Sequence, residues 1–143
     1  MLKASELRLG NYGLYRLDNE CYPFEVTMIA PSHIEFDLLE DAPLDFGRHQ
    51  TDVLYEYIEP IPLTEDWIMK AGFTKIDHDI HNNIPKFLDG RCQYVVSITK
   101  SHSVVCAYDE SDGSQWYLSA IFYLHELQNL YYSLTNEELT INL

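Results

Sequence analysis

The sequence predicts an α+β fold: an N-terminal β-rich subdomain with a small barrel-like sheet, then a helix, a four-stranded antiparallel meander and a C-terminal helix. Three observations carry that expectation. Apolar and polar side chains alternate through short runs of the first half, the period of a half-buried strand. Asp89-Gly90 and Asp112-Gly113 separate extended runs in the second half, and Asp-Gly between such runs is a strong hairpin cue. A leucine stripe at helical spacing follows them. With 143 residues, 46% hydrophobic and 13% aromatic, the chain suits one domain or two small ones and is too apolar for disorder.

Taken in order, Gly10, Asn11 and Gly13 mark a turn into a strand near 12–17. Phe24, Val26, Met28 and Ala30 alternate up to Pro31-Ser32, and Ile34, Phe36 and Leu38 resume the pattern, which reads as a hairpin. Leu54–Ile58 is a further candidate strand. Pro60 and Pro62 then stiffen a crossing, because the residue before each proline is pushed toward extended backbone. Subdomains are therefore expected over 1–59 and 60–143, sharing an interface because each is small.

The second half opens with a helix over 64–71. Thr64 caps it, Glu65 and Asp66 place carboxylates at its positive end, and Gly72 suits a left-handed stop. Strands fill 84–121, with Cys92, Tyr94, Val96 and Ile98 on one face. A helix over 122–134 presents Leu124, Leu127, Tyr131 and Leu134 to the apolar side of the meander, and Asn136 suits a left-handed end. Leu139, Ile141 and Leu143 alternate as a last short strand would.

Charge narrows the partners. Nine Lys and Arg stand against 23 Asp and Glu, a formal charge of -14 spread over both halves. Binding a phosphate backbone draws on clustered cations, so nucleic-acid binding is not expected. The start, Met1-Leu2-Lys3-Ala4-Ser5-Glu6, lacks the apolar core of a secretory signal, and the longest uncharged stretch, Gly113 to His125, is too short to span a bilayer. Cys21, Cys92 and Cys106 have no CxxC spacing, and Cys92 and Cys106 sit among apolar neighbours, as packed thiols do. A cytoplasmic, reducing setting follows as the expectation.

Chemistry-bearing patterns are few. Asp77-His78-Asp79-Ile80-His81 gathers two imidazoles and two carboxylates, and His78 and His81 are the weak metal candidates. The competing reading is a solvated polar loop. No catalytic residue, nucleotide loop or metal motif stands out, and no cofactor is implied. His125, Gln128, Asn129 and Tyr132 fall at i, i+3, i+4 and i+7, which places an imidazole, two amides and a phenol on one stripe opposite the leucines. Such a stripe suits contact with a ligand or partner; the alternative is that Gln128 and Asn129 bond loop backbone. Eleven Tyr, with Tyr55, Tyr57, Tyr117, Tyr131 and Tyr132 as candidates for exposure, suit an interface.

Three stretches carry a resemblance: Glu6–Tyr12, Ile58–Trp67 with Gly72-Phe73, and His125–Leu134 running on to Ile141. Together they resemble a family of small uncharacterised proteins of Bacteroidetes genomes and of the phages or mobile elements those genomes carry. The chain departs from that pattern at Gly13, where a larger apolar residue is usual, and at Asn136, where Gly is. The resemblance implies an accessory role inside a bacterial cell and no particular chemistry. The expected function is a non-catalytic accessory protein that binds a protein partner through an acidic, Tyr-rich surface. The alternative is a nucleotide-like small-ligand binder or sponge, with a hydrolase using His78 or His81 behind it.

Overall fold

Alternation in the first half builds an open five-stranded antiparallel sheet. The computed structural model describes residues 2–39, 47–76 and 84–143. Its strands are β1 (Tyr12–Leu17), β2 (Glu20–Ile29), β3 (His33–Leu38), β4 (His49–Leu54) and β5 (Ile58–Glu59), in the order β4-β3-β2-β1-β5. β4 and β5 are separate edges, so the expected barrel-like closure does not occur. Leu54–Ile58 is not one strand either: a 3₁₀ turn over Tyr55–Tyr57 divides β4 from β5. The Tyr55 hydroxyl donates to the Ala30 carbonyl at 2.7 Å, which anchors that turn, and Ile58 then pairs with Tyr15.

One face of this sheet is packed. Phe24, Val26, Ile34, Phe36, Leu38 and Ile58 are buried there with Leu2, Leu7 and Val53. The Phe24 and Phe36 rings stack with centroids 4.2 Å apart, and Tyr15 tilts onto Phe36 at 5.2 Å. Fully burying a phenylalanine ring contributes roughly 1.5–3 kcal/mol, so Phe24 and Phe36 are large contributors to the packing of this face. Pro23 is tolerated inside β2 because the β2–β3 ladder stops at Phe24, and beyond it only the Pro23 carbonyl is used, by Leu39 N at 2.9 Å.

Two compact units divide the chain. The first is Met1–Pro62 with Tyr123–Glu138, and the second is Leu63–Phe122 with Leu139–Leu143. The C-terminal helix α2 (Leu124–Thr135) thus belongs with the first sheet. Its expected seat on the meander is corrected by side-chain bonds to the β1 segment, described below. Asn136 ends it in left-handed backbone (φ 58°), with its N–H on the Tyr132 carbonyl at 2.7 Å.

In the second unit, helix α1 (Glu65–Lys70) is capped as its sequence predicts. Thr64 Oγ accepts from Trp67 N at 3.4 Å, Lys70 meets Asp66 at 2.9 Å, and Gly72 turns the chain at φ +83°. Among the described residues the meander has five strands, not four: β6 (Thr74–Ile76), β7 (Lys86–Leu88), β8 (Tyr94–Ile98), β9 (Ser103–Tyr108) and β10 (Gln115–Ile121), each antiparallel to the next. β6 is too short to show a period in sequence. Leu139 and Ile141 are buried but form no ladder; Asn142 N donates to Lys70 O at 2.6 Å, so the expected last strand is an extended tail held at the end of α1.

Candidate functional site

The polar stripe of α2 is the first candidate, and the structure shows what its groups touch. Gln128 is 2% exposed. Its Oε1 accepts from Tyr12 N at 2.9 Å and its Nε2 donates to Gly10 O at 3.0 Å. β5 pairs with β1 at Leu14 and Tyr15, and among the described residues no strand lies beside the start of β1 on that side. The Gln128 amide fills that place, acting as one peptide unit of a missing strand. Asn129 Nδ2 donates to Glu6 O at 2.9 Å, and the Arg8 guanidinium lies 3.6 Å over the Tyr132 ring while Arg8 Nη2 meets Glu138 at 2.8 Å.

His125 completes the stripe as a buried ring, 3% exposed, stacked on Tyr123 at 5.8 Å. Burial holds its pKa below the ordinary imidazole value, against the opposing pull of Glu126 and Glu6. Buried polar atoms without a partner among the described residues include His125 Nδ1, Asn129 Oδ1, Asn11 Nδ2 and Arg8 Nη1, all in this seam. The stripe is not opposite the leucines. At about 100° per residue Gln128 lies only about 40° from Leu124, and the buried arc takes in Leu124, His125, Leu127 and Gln128 while Leu134 is exposed. The groups expected to face outward therefore tie α2 to its own sheet.

A cavity lies elsewhere in the first unit. It is open, has a volume of about 700 Å³, and is lined by Tyr15, Arg16, Leu17, Asp18, Glu56 and Tyr57. Arg16 is held at its wall by Glu59 at 2.9 Å and reaches the Glu56 carbonyl at 3.5 Å. On the same sheet a row of ionisable groups runs through the register pairs Tyr12–Glu25, Glu25–Asp37 and Asp37–His49. Burial, then Asp37, raises the Glu25 carboxyl, and the hydrogen bond that His49 Nδ1–H donates to the Asp37 carboxylate raises His49.

The second unit offers a different surface. On β10, Trp116 is 55% exposed and Tyr117 67%, with Leu118 next to them also exposed. The hairpin that leads into β10 carries Asp109, Glu110 and Asp112. Ser111 bonds the Asp109 carboxylate through its hydroxyl (2.6 Å) and backbone (2.9 Å), and Ser114 does the same for Asp112 (2.5 and 2.8 Å). Both carboxyls are held below the usual range by those hydroxyl bonds first and the backbone bonds second, so the tip is ionised at neutral pH.

Of the five tyrosines expected to face out, Tyr57 and Tyr117 are exposed, and Tyr55, Tyr131 and Tyr132 are half-buried. Sequence reasoning missed Trp116 and Leu118. The available signal was the run Gln115–Ile121, which has neither a charge nor a clean alternation.

His78 and His81 lie outside the described residues. Among the described residues no group of three or more His, Cys, Asp or Glu is arranged to hold a metal ion. Cys106 has its thiol pKa raised by burial, an environment for a packed thiol. Cys92 is not on a strand face: it takes left-handed backbone (φ 56°) in the β7–β8 turn.

No family model, curated protein or solved structure matches the chain. Among the described residues no helix is long and apolar enough to cross a membrane.

Proposed function

We propose that this chain is a non-catalytic accessory protein that docks a basic macromolecular partner through an acidic, aromatic surface. One observation carries the reading: Trp116 and Tyr117, on opposite faces of β10, and Leu118 after them stand exposed along the strand that leaves the ionised Asp109–Asp112 tip. Exposed aromatic rings supply contact area at low entropy cost, and a charge of -14 steers a cationic partner and makes the association salt-sensitive. The resemblance of its three sequence stretches to mobile-element proteins supports an accessory role in the cytoplasm of a bacterial host. The α2 stripe is not part of this surface, because its amides are engaged with backbone.

The test is capture on the immobilised protein from a Bacteroidetes lysate, with Trp116→Ser/Tyr117→Ser as comparator. A specific partner should be retained at low salt, released as ionic strength rises, and lost with the double variant. A partner held equally by both proteins moves the docking surface elsewhere, and no partner at all removes the reading.

The cavity favours a second reading, a small-ligand binder. Asp18 and Glu56 on its walls, with Arg16 already engaged by Glu59, suit a cationic or neutral aromatic ligand better than the nucleotide-like one. A ligand that binds only the native state raises the melting temperature, so a thermal-shift panel of aromatic amines and nucleotides separates the two chemistries.

A further inference from the structure

β10 is a lightly guarded sheet edge. It closes one end of the second sheet, and among the described residues no strand pairs with its outer side. Edge strands are normally protected by charge, proline, brevity or a bulge. β4 carries His49 and Asp52, and β6 has only three residues, Lys75 among them. β10 has seven residues with no charge and no proline; it carries a bulge at Leu118, and just past its end the Phe122 carbonyl accepts from Leu63 N at 3.0 Å, so its open stretch is the Gln115–Tyr117 end.

The hydrogen-bond phase follows from the hairpin. Asp109 N donates to Ser114 O at 3.0 Å, so alternation turns the amides of Gln115 and Tyr117 away from β9. Unpaired backbone, exposed rings and an anionic tip therefore lie along one edge.

We propose that β10 accepts an extended, Lys- or Arg-bearing segment of another protein as an added strand. Its backbone would pair with Gln115 and Tyr117, and its cations would meet the Asp109–Asp112 tip and the Trp116 and Tyr117 rings. Main-chain pairing supplies affinity in such an arrangement and alternate side chains supply specificity. A second copy of this chain is the poorer occupant: it brings another -14 of charge, and its own β10 holds no cation for the tip. This inference rests on the docking surface proposed above and adds how the partner is held.

The experiment uses the full chain and capped heptapeptides with Lys at alternate positions and Val, Ile, Thr or Tyr between them. Three comparators are the same peptides with Glu for Lys, the same peptides N-methylated at the residues that face β10, and the variant Asp109→Asn/Asp112→Asn, which keeps the turn's acceptors. A Lys peptide should bind, protect the Gln115 and Tyr117 amides from hydrogen exchange at least about tenfold, and weaken as salt rises from about 50 to about 300 mM. N-methylation and the Asn pair should each cost about tenfold in affinity, and Glu peptides should not bind.

Equal binding of N-methylated and parent peptides without amide protection overturns strand addition while leaving the docking surface intact. Failure of every Lys peptide overturns the basic-strand occupant, and loss of capture with the Trp116/Tyr117 double variant remains the separate test of the surface. Concentration-dependent dimerisation that protects the same amides assigns the edge to a second copy and overturns the proposal.

Discussion

Gln128 shows how one side chain can decide where a helix belongs. Its amide presents an acceptor and a donor at the spacing that Tyr12 N and Gly10 O require, so replacing it strands two backbone groups at once. Gln128→Leu should destabilise the protein by about 2–4 kcal/mol, because each unpaired buried group costs roughly 1–3 kcal/mol. Asn129→Ala removes one more exposed bond and should cost about 1 kcal/mol or less. Urea midpoints of the two variants check the ranking, and a Gln128→Leu variant as stable as wild type would deny the amide its role. Gly13 makes a related point about space. A Cβ there would stand 2.5 Å from Phe24 Cζ, so the position stays small because a buried ring fills the room that a larger apolar residue would take. Gly13→Ala should cost roughly 1–3 kcal/mol by overpacking. Combined with Phe24→Leu the loss should be smaller than the sum of the two single losses, which a double-mutant cycle measures.

At the level of elements, local chemistry was readable and pairing geometry less so. Thr64, Gly72 and Asn136 perform the capping roles their residue types suggest, because a cap depends on a few neighbouring atoms. The Asp89-Gly90 hairpin is real, but its mechanism differs from a two-residue reversal. Asp89 Oδ1 accepts from Gln93 N (2.7 Å) and Tyr94 N (2.8 Å), and the left-handed residue is Cys92. Asp89→Ala should therefore destabilise by about 2–4 kcal/mol, since it removes a buried carboxylate that is the acceptor for two backbone donors of a part-buried turn. Asp89→Asn keeps the Oδ1 acceptor but places an NH2 where Oδ2 has no partner among the described residues, so it should cost about 1–3 kcal/mol, less than Asp89→Ala. Thermal unfolding of both variants decides between the carboxylate as an acceptor and the carboxylate as a charge. The exposed face of β10 could not be read from sequence in the same way: Trp, Tyr and Leu in a row look like core until the strand order puts them on an edge.

At the scale of the whole molecule, the sequence carried the α+β class and most strand positions, but not which sheet claims α2. That assignment rests on contacts between Gly10–Tyr12 and Gln128, far apart in the chain, and a helical period says only that a face is buried, not against what. The consequence is a buried histidine whose titration is tied to folding. In the unfolded chain His125 has an ordinary imidazole value near 6.5, and burial holds the folded value lower. Above about pH 6.5 neither state is protonated there and the contribution is complete; as pH falls below it, the unfolded chain takes up the proton first and stability declines until the folded value is passed. His49 has the opposite sign. Its bond to Asp37, with Glu35 beyond, raises its folded value, so its contribution is complete below the ordinary value and is lost as pH rises through the raised one. Being exposed, that second contribution is small and screened by salt. Urea unfolding between about pH 5 and pH 8 should thus show a salt-insensitive decline on the acid side that His125→Phe flattens, and a weaker, salt-sensitive decline on the alkaline side that His49→Ala flattens. Glu25 cannot produce that acid decline, because burial raises its folded value and its protonation favours the folded state as pH falls. An acid decline that survives His125→Phe would leave the buried ring as a packing element without a pH role.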